Sequence, residues 1–301
     1  MRNALLLCLL VTACGSSDPE PSPGDAAGDS SVGSDTLPAD TASEETAPID
    51  LGVETPADTS VATTTEKEPN DGKAAADVNP FTIPGDIIGA IDPADDIDIM
   101  SVTLNAGDLW TWSLVGTGGG MTPHLGVSEN GNRVPTLVAV GSDQEHFVLE
   151  SETYFLIVRD ARNVPMSTSK HVGGPELKWK LGARRLERTA TPATFPSTLM
   201  GKLTTRTAIA LYAFSGMKDF AFDIVLRAQR KTPASNMDSR MSLYEKTTKK
   251  WVLTNDDDAM ASTKDSHIGG ALPVTGDYVV VVENVSPDAT DLSFELMFSK
   301  R

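Results

Sequence analysis

Hydrophobic and polar residues alternate in several short stretches of the chain. In residues 220–226 the even-numbered positions carry large apolar side chains, and residues 292–298 repeat this alternation. Lysines alternate with apolar residues in 177–181, and residues 279–282 are a continuous run of valine. Side chains two positions apart lie on one face of a strand, so these stretches predict β-strands with at least one buried face. No long stretch has the 3.6-residue period of an amphipathic helix.

Clusters of Gly, Pro, Asn and Asp separate the predicted strands, which is typical of short antiparallel strands joined by turns. The same order of strands and glycines occurs twice, with an offset of 112 residues between Gly89 and Gly201. This offset is close to the length of one small β-sandwich. The sequence therefore predicts an all-β protein with two tandem jelly-roll or β-sandwich domains, at residues 66–186 and 187–301.

The segment before the first predicted domain, residues 14–65, has a different composition. Gly, Ser, Thr, Pro, Ala and acidic residues dominate it, and it contains no aromatic residue, no Lys and no Arg. Its eleven acidic residues are Asp18, Glu20, Asp25, Asp29, Asp35, Asp40, Glu44, Glu45, Asp50, Glu54 and Asp58. Such a segment buries too little apolar surface to offset the entropy cost of ordering, so we predict a disordered acidic tether.

The amino-terminal residues form a short apolar run at positions 4–11, which follows Arg2 and precedes Cys14. The run is too short to cross a hydrocarbon core, which needs about 20 residues. The pattern Val11-Thr12-Ala13-Cys14 resembles the lipobox of bacterial lipoprotein signal peptides. The resemblance implies that residues 1–13 are removed on export and that Cys14 is lipidated, which makes the membrane a partner through the amino-terminal lipid.

The alternative is an ordinary secreted protein whose signal peptide happens to contain a cysteine. Under the lipoprotein hypothesis, Gly15 stands where some lipoproteins carry an inner-membrane retention aspartate. The expected location is therefore the bacterial cell envelope, at the periplasmic face or cell surface of the outer membrane. Cys8 and Cys14 are the two cysteines of the sequence, so residues 66–301 have neither a disulfide nor a thiolate metal site.

The charge balance bears on the possible partners. The chain has 42 acidic and 25 basic residues and a net charge of −17. Setting aside the eleven acidic residues of the tether and Arg2 leaves a net charge of −7 for residues 66–301. Nucleic-acid binding needs a basic footprint, so we expect no nucleic-acid partner. A moderately acidic surface is compatible with cation binding.

Short motifs in both halves resemble the bacterial pre-peptidase C-terminal domain. In the first half they are Glu66-Lys67-Glu68-Pro69-Asn70-Asp71, Gly89-Ala90-Ile91 and Asp96-Ile97-Asp98. In the second half they are Leu243-Tyr244, Asn255-Asp256-Asp257, Asp265-Ser266-His267-Ile268 and Gly276-Asp277-Tyr278. The resemblance implies a jelly-roll module of a kind often attached to secreted peptidases. Each half keeps a different part of the pattern: the first lacks Asn-Asp-Asp and the second lacks Glu-Pro-Asn-Asp.

The first half contains a candidate calcium site. The residues that offer oxygen ligands are Glu66, Glu68, Asn70, Asp71, Asp96 and Asp98. Calcium binds carboxylate, amide and carbonyl oxygens, and Asp96 and Asp98 are expected to share one face of a strand. The resemblance also implies calcium binding by the acidic segment before the first strand. The alternative is a polar lead-in in which Asn70 or Asp71 caps a turn.

The second half contains a weaker metal candidate, formed by Asn255, Asp256, Asp257 and Asp265. Adjacent carboxylates repel each other unless a cation or a hydrogen-bond donor lies between them. The alternative is a loop in which Asn and Asp side chains bond to nearby backbone, which is their common role in turns.

Candidate catalytic groups are few. The four histidines fall in different predicted loops and have no zinc-binding spacing, and Asp265, Ser266 and His267 are too close in sequence to converge as a triad. The sequence favours a non-catalytic, lipid-anchored envelope protein. Its two β-sandwich modules would bind or adhere to an unknown protein or polysaccharide ligand, with calcium as a candidate stabilising ion. The alternative function is an accessory or divergent component of a secreted peptidase or hydrolase system.

Overall fold

A computed structural model describes residues 61–70, 79–129, 137–140, 143–163, 170–258 and 263–301, and all of them belong to one compact unit. The elements of this part are β-strands and one short 3-10 helix at Ala161–Asn163. The strands are β1 (Thr63–Thr65), β2 (Gly85–Ala90), β3 (Asp98–Leu104), β4 (Leu109–Gly116), β5 (Pro123–Glu129), β6 (Leu137–Val140), β7 (Gln144–Phe147), β8 (Glu152–Asp160), β9 (Lys178–Leu186), β10 (Thr191–Pro192), β11 (Ser197–Lys202), β12 (Ala210–Gly216), β13 (Ala221–Arg227), β14 (Ser239–Glu245), β15 (Lys250–Asn255), β16 (His267–Ala271), β17 (Gly276–Asn284) and β18 (Ser293–Lys300).

The predicted all-β class is confirmed. Side chains that alternate between apolar and polar in the sequence also alternate in burial along the strands. In β13 the side chains of Phe222, Ile224 and Leu226 are fully buried, and the residues between them are half-buried. The valines of β17 are buried on both faces, as a continuous β-branched run indicates. Burial of these side chains, each contributing about 1.5–3 kcal/mol, is the main stabilising term of the fold.

The first two sheets face each other around one core. One sheet has the strand order β1-β2-β9-β4-β7, and the other has the order β3-β8-β5-β6. The β1–β2 pair is parallel, and the other strand pairs of these sheets are antiparallel. Trp112, Trp179, Tyr154 and Leu156 are the large side chains at the centre of this core, and each is at most 1% exposed.

The next two sheets repeat this plan. The order β2-β9-β4-β7 recurs as β11-β18-β13-β16, and β3-β8-β5-β6 recurs as β12-β17-β14-β15. Their core contains Phe222, Phe294, Phe298, Tyr212 and Tyr278. The entry strands differ, because β1 pairs with β2 whereas β10 pairs with β12. We call these two pairs of sheets the first and the second sandwich; the division of the chain into two domains stays a prediction.

A third apolar cluster contains residues from both sandwiches: Ala106, Leu109, Phe147, Ile209, Leu211, Tyr244, Val279 and Val281. Within it the ring of Phe147 lies edge-on to that of Tyr244, with centroids 5.3 Å apart. Beside it Arg188 donates to both carboxylate oxygens of Glu145, at 2.6 and 2.8 Å, and the backbone N–H of Ile209 donates to the same carboxylate at 2.7 Å. The two sandwiches therefore pack against each other.

The predicted signal peptide, Cys14 and most of the predicted tether lie outside the described residues. At the end of the predicted tether the structure differs from the prediction, because Thr63–Thr65 form β1 and pair with Asp86–Ile88. Threonine is β-branched and favours an extended strand, so this last stretch can extend the sheet. Within the part of the chain that the structure describes, no helix has the length and hydropathy needed to span a membrane.

Candidate metal centre

Glu66 is held in place by the edge of the first sandwich. It follows β1 directly, and its backbone N–H donates to the carbonyl of Ile88 at 3.0 Å. The backbone N–H of Ala90 donates to Glu66 Oε1 at 2.6 Å. A side chain at Gly89 would place its Cβ 2.0 Å from Glu66 Oε1, so only glycine leaves room for this carboxylate.

Asp98, the first residue of β3, brings a second carboxylate to the same place. It is fully buried, and the indole N–H of Trp179 donates to its Oδ2 at 2.6 Å. Its Oδ1 is buried and has no hydrogen-bond partner. Carboxylate oxygens of Glu66, Glu68 and Asp98 all lie within 4.8 Å of one another.

Asn70 adds a neutral oxygen to this group. Its backbone N–H donates to Glu68 at 3.1 Å, and its side-chain amide donates to Glu66 at 3.2 Å. Its backbone carbonyl accepts the N–H of Ile99 at 3.2 Å, which fixes the residue beside β3. The remaining amide oxygen, Oδ1, is buried and unpartnered. Two buried oxygen atoms, one of Asn70 and one of Asp98, therefore lack a donor.

The electrostatics of the group are unfavourable without a cation. Burial raises the pKa of Asp98 to about 10, and the charges of Glu66 and Asp96 add to the effect. Burial also raises the pKa of Glu66, although the N–H of Ala90 opposes the shift. Each buried acceptor without a donor costs about 1–3 kcal/mol. A cation among the three carboxylates would offset their repulsion and could take the unpartnered Oδ1 of Asp98 as a ligand.

The donor set fits a hard cation. Glu66, Glu68, Asp98 and Asn70 offer oxygen atoms only, and hard divalent cations bind carboxylate and amide oxygens. Zinc and the softer metals favour histidine and cysteine, which this group does not contain. The acidic cluster, together with its buried unpartnered oxygens, could therefore hold a metal ion of the calcium or magnesium type.

One residue of the predicted first site lies outside the carboxylate group, and another is not among the described residues. Asp96 precedes β3 rather than lying in it, and its carboxylate accepts the backbone N–H groups of Asp92 and Ile97, both at 2.8 Å. It is therefore a turn-stabilising residue whose charge acts on Asp98 from outside the carboxylate group. Asp71 lies outside the described residues.

The second predicted metal group is arranged differently. Asp265 is fully buried and accepts the backbone N–H groups of Ala228, Gln229 and Arg230. The Arg230 guanidinium donates to it at 2.7 Å and lies 3.1 Å from Asp258.

The other members of that group are not gathered around a shared centre. Asn255 accepts the N–H of His267 at 3.0 Å, whereas Asp256 and Asp257 are exposed. These contacts favour the loop-stabilising alternative, with Arg230 as the cation. The metal hypothesis for this group stays a prediction.

Ser266 lies just before β16, His267 is the first residue of that strand, and the two side chains have different surroundings. Ser266 is fully buried, and its Oγ donates to the carbonyl of Ser239 at 2.7 Å. His267 Nε2 lies 2.9 Å from the carboxylate of Asp223, which also binds Arg301. The Ser266 hydroxyl and the His267 ring therefore have separate partners.

Trp179 and Gly89 belong to the site, although no local sequence pattern indicates it. Trp179 is 81 residues from Asp98 in sequence, and the two meet only through the pairing of the strands. The glycine of Gly89-Ala90-Ile91 was noted as a motif residue, and its function is the space that it leaves for Glu66. A lone tryptophan in an alternating strand gives no signal of a carboxylate partner.

Comparison with known proteins leaves the family open. No family model matches the chain, and no curated protein matches it. The pre-peptidase C-terminal domain of a collagenase from Bacillus anthracis aligns with 38% of this chain and 98% of its own, at 13% identity and TM-score 0.29. The CUB1-EGF-CUB2 domain of human MASP-1/3 aligns with 72% of this chain and 99% of its own, at 7% identity and TM-score 0.22.

A structure of the M60 catalytic domain with the CBM51-1 and CBM51-2 domains of Clostridium perfringens ZmpB aligns with 67% of this chain and 33% of its own, at 8% identity and TM-score 0.23. Likeness at this level of identity and TM-score carries no argument about function. The functional argument therefore depends on the residues of this chain.

Proposed function

We propose that this chain is a calcium-binding, lipid-anchored protein of the bacterial envelope, whose two sandwiches act as non-catalytic binding or adhesion modules. The observation that carries the proposal is the group of Glu66, Glu68 and Asp98 carboxylates with two buried, unpartnered oxygens beside it. The lipobox-like segment and the acidic tether support the anchoring part.

Calcium fits this group better than magnesium for a structural reason. Calcium takes about six to eight oxygen ligands in flexible geometry, and magnesium demands a near-octahedral shell and keeps several waters. Three carboxylates that can each bind through one or both oxygen atoms converge here, with Asp98 buried, Glu66 half-buried and Glu68 exposed. When bound, calcium would supply positive charge, and Glu66, Glu68 and Asp98 would supply oxygen ligands.

The position of the group gives the ion a mechanical role. Glu66 comes directly after β1, which is the point where the predicted tether meets the first sandwich. A three-residue parallel edge strand is a weak attachment by itself, because its exposed threonines bury little surface. An ion that joins Glu66 and Glu68 to the buried Asp98 would fix the chain at that point. A force on the tether would then be transmitted to the core of the first sandwich.

The anchoring part is tested by metabolic labelling with a fatty acid in a bacterial host, followed by protease treatment of intact cells. The native chain should incorporate the label and be released to the medium by cleavage within the tether. Cys14→Ser should lose the label and appear unanchored. A native chain that is unlabelled and cytoplasmic would contradict the proposal, whether or not it binds calcium.

A further inference from the structure

A solvent-accessible cleft of about 650 Å³ lies at one end of the second sandwich. Its walls come from the segment between β10 and β11, the end of β12 with the turn to β13, and the turn between β16 and β17. Small-molecule and peptide side-chain sites have volumes of roughly 300–1,000 Å³. The cleft therefore has the size of a ligand site, and the metal centre does not use it.

The inner wall of the cleft is aromatic. The ring of Phe195 lies edge-on to those of Phe214 and Phe220, with centroids 5.0 and 5.2 Å apart. At the rim Met217 is 71% exposed, the highest value among the large apolar residues of the described chain. Aromatic rings that meet solvent through a cleft can take an apolar guest edge-to-face or offset, each contact contributing about 0.5–1.5 kcal/mol.

The rim carries one cationic and one anionic side chain. The Lys300 ammonium lies 5.9 Å from the centre of the Phe220 ring, and no carboxylate of the described residues lies within ion-pair distance of it. Asp277, another lining residue, accepts the Ser215 hydroxyl through Oδ1 at 2.5 Å, which orients its carboxylate. A ligand for this cleft needs an apolar group, an anion for Lys300 and a donor for Asp277.

We propose that the cleft binds the carboxyl terminus of a polypeptide that ends in an aromatic or large aliphatic residue. The last side chain would lie against Phe195, Phe214 and Phe220. The terminal carboxylate would pair with Lys300, and the last amide N–H would donate to Asp277. This names a ligand for the binding role proposed above, and its test depends on neither calcium nor the lipid anchor.

The experiment uses the full chain labelled with ¹³C at the methionine methyl groups. Met217 lines the cleft and reports binding, and Met200, on β11 outside the lining, is an internal control. Met217→Leu assigns the reporter signal. N-acetylphenylalanine should shift the Met217 methyl and leave Met200 unchanged. N-acetylphenylalaninamide, which lacks the carboxylate, should bind about three- to fivefold more weakly, the range of an exposed ion pair.

Two variants locate the effect. Lys300→Gln should remove the difference between acid and amide, and Lys218→Gln, which removes a neighbouring exposed lysine outside the lining, should keep it. Ser215→Tyr places a ring in the cleft on an exposed strand position and should abolish the Met217 shift while circular dichroism stays native.

The remaining arm distinguishes a polypeptide terminus from a free acylated amino acid. Gly-Gly-Ser-Phe should bind at least as tightly as N-acetylphenylalanine, and the same peptide with a carboxamide end should bind more weakly. Equal binding of acid and amide, a Met217 shift that persists in Ser215→Tyr, or a tetrapeptide weaker than the acylated amino acid would overturn the proposal.

Discussion

Asp98 in the first sandwich and Asp265 in the second are both fully buried, but their surroundings differ. A third fully buried aspartate, Asp160 of the first sandwich, is paired with Arg162. Asp265 in the second sandwich accepts three backbone N–H groups and the guanidinium of Arg230. Asp98 in the first sandwich has one donor, the indole of Trp179, and two negative neighbours. Arg230 therefore neutralises Asp265, whereas Asp98, whose pKa is raised to about 10, is the uncharged acid unless a metal ion binds the carboxylates around it.

Equivalent strands show how the same plan yields these two results. Asp98 is the first residue of β3, and the corresponding strand β12 begins with Ala210, which is buried in the apolar core. Gly89 pairs with Trp179, and Gly201 pairs with Phe294. The space beside Gly89 holds the carboxylate of Glu66, and the space beside Gly201 holds the rings of Phe294 and Tyr212. A conserved topology therefore does not require a conserved site.

The largest loss of stability is expected when Asp265, which is paired with Arg230 of the same chain, is replaced. Asp265→Ala would leave three backbone donors and Arg230 without their acceptor, and breaking such a buried pair costs about 3–5 kcal/mol. Urea unfolding of the full chain should show this loss equally in EDTA and in calcium. A loss that calcium restores would indicate that Asp265 is a metal ligand and would break the comparison.

A second large effect is the loss of folding stability at low pH that His146, at the contact between the two sandwiches, should cause. Burial lowers the pKa of His146 to about 4, and Glu283 and Arg240 of the second sandwich act on it with opposite signs. The unfolded chain therefore binds a proton that the folded chain does not, and stability falls as pH drops from about 6.5 to 4. The loss from this group is roughly 3 kcal/mol.

His146→Phe keeps a ring against Tyr154, 5.5 Å from the present one, and cannot be protonated. Its free energy of unfolding should fall less than that of the native chain over the same pH interval. Measuring both proteins in the same buffers cancels the titration of the carboxylates. Parallel profiles would mean that His146 is protonated in the folded chain or remains neutral in both states.

The next largest effect is the stabilisation of the native chain by calcium at the predicted first metal site. Calcium at 100 times its dissociation constant should stabilise the native chain by about 2.7 kcal/mol. Asp98→Asn removes the charge while keeping the shape of the side chain, so the calcium effect should disappear and stability in EDTA should not fall. Asp256→Asn, at an exposed position of the second candidate group, is the matched control and should retain the full calcium effect. Thermal unfolding with calcium and with EDTA provides the comparison.

The smallest predicted effect is a change in calcium affinity that distinguishes Gly89 from Gly201. A methyl group at Gly89 would meet the carboxylate of Glu66, so Gly89→Ala should weaken calcium binding about tenfold, or about 1.4 kcal/mol. Gly201→Ala, whose Cβ would meet Phe294 and the hydroxyl of Tyr212, should reduce stability and leave calcium affinity unchanged. Equal calcium affinity of Gly89→Ala and the native chain would show that Glu66 is not a ligand.

Local pattern predicted the strands because each depends on its own residues. The alternation at 220–226 and the valine run at 279–282 became β13 and β17, and Glu66, Glu68, Asn70 and Asp98 were identified from their oxygen chemistry. Side-chain partners that are distant in sequence and meet only in the folded structure could not be predicted. Nothing near Asp265 in sequence indicates Arg230, 35 residues away, and the same holds for Trp179 and Asp98.

Asp96 shows the related error for strand boundaries. It was expected to share a face of a strand with Asp98, but β3 begins only at Asp98. Asp95, just before it, has a positive φ of 72°, which bends the chain into a turn. A turn of this kind reorients the next side chain. Two residues that are two positions apart share a face only within a strand, so Asp96 and Asp98 do not.

Isothermal titration of calcium into the full chain tests the central claim most directly, namely that the carboxylates around Asp98 bind a cation from solution whereas Asp265 is paired with Arg230 of the same chain. The account predicts one calcium ion bound per chain, with the binding heat abolished in Asp98→Asn and unchanged in Asp256→Asn. No binding heat for the native chain, or binding that persists in Asp98→Asn, would contradict it.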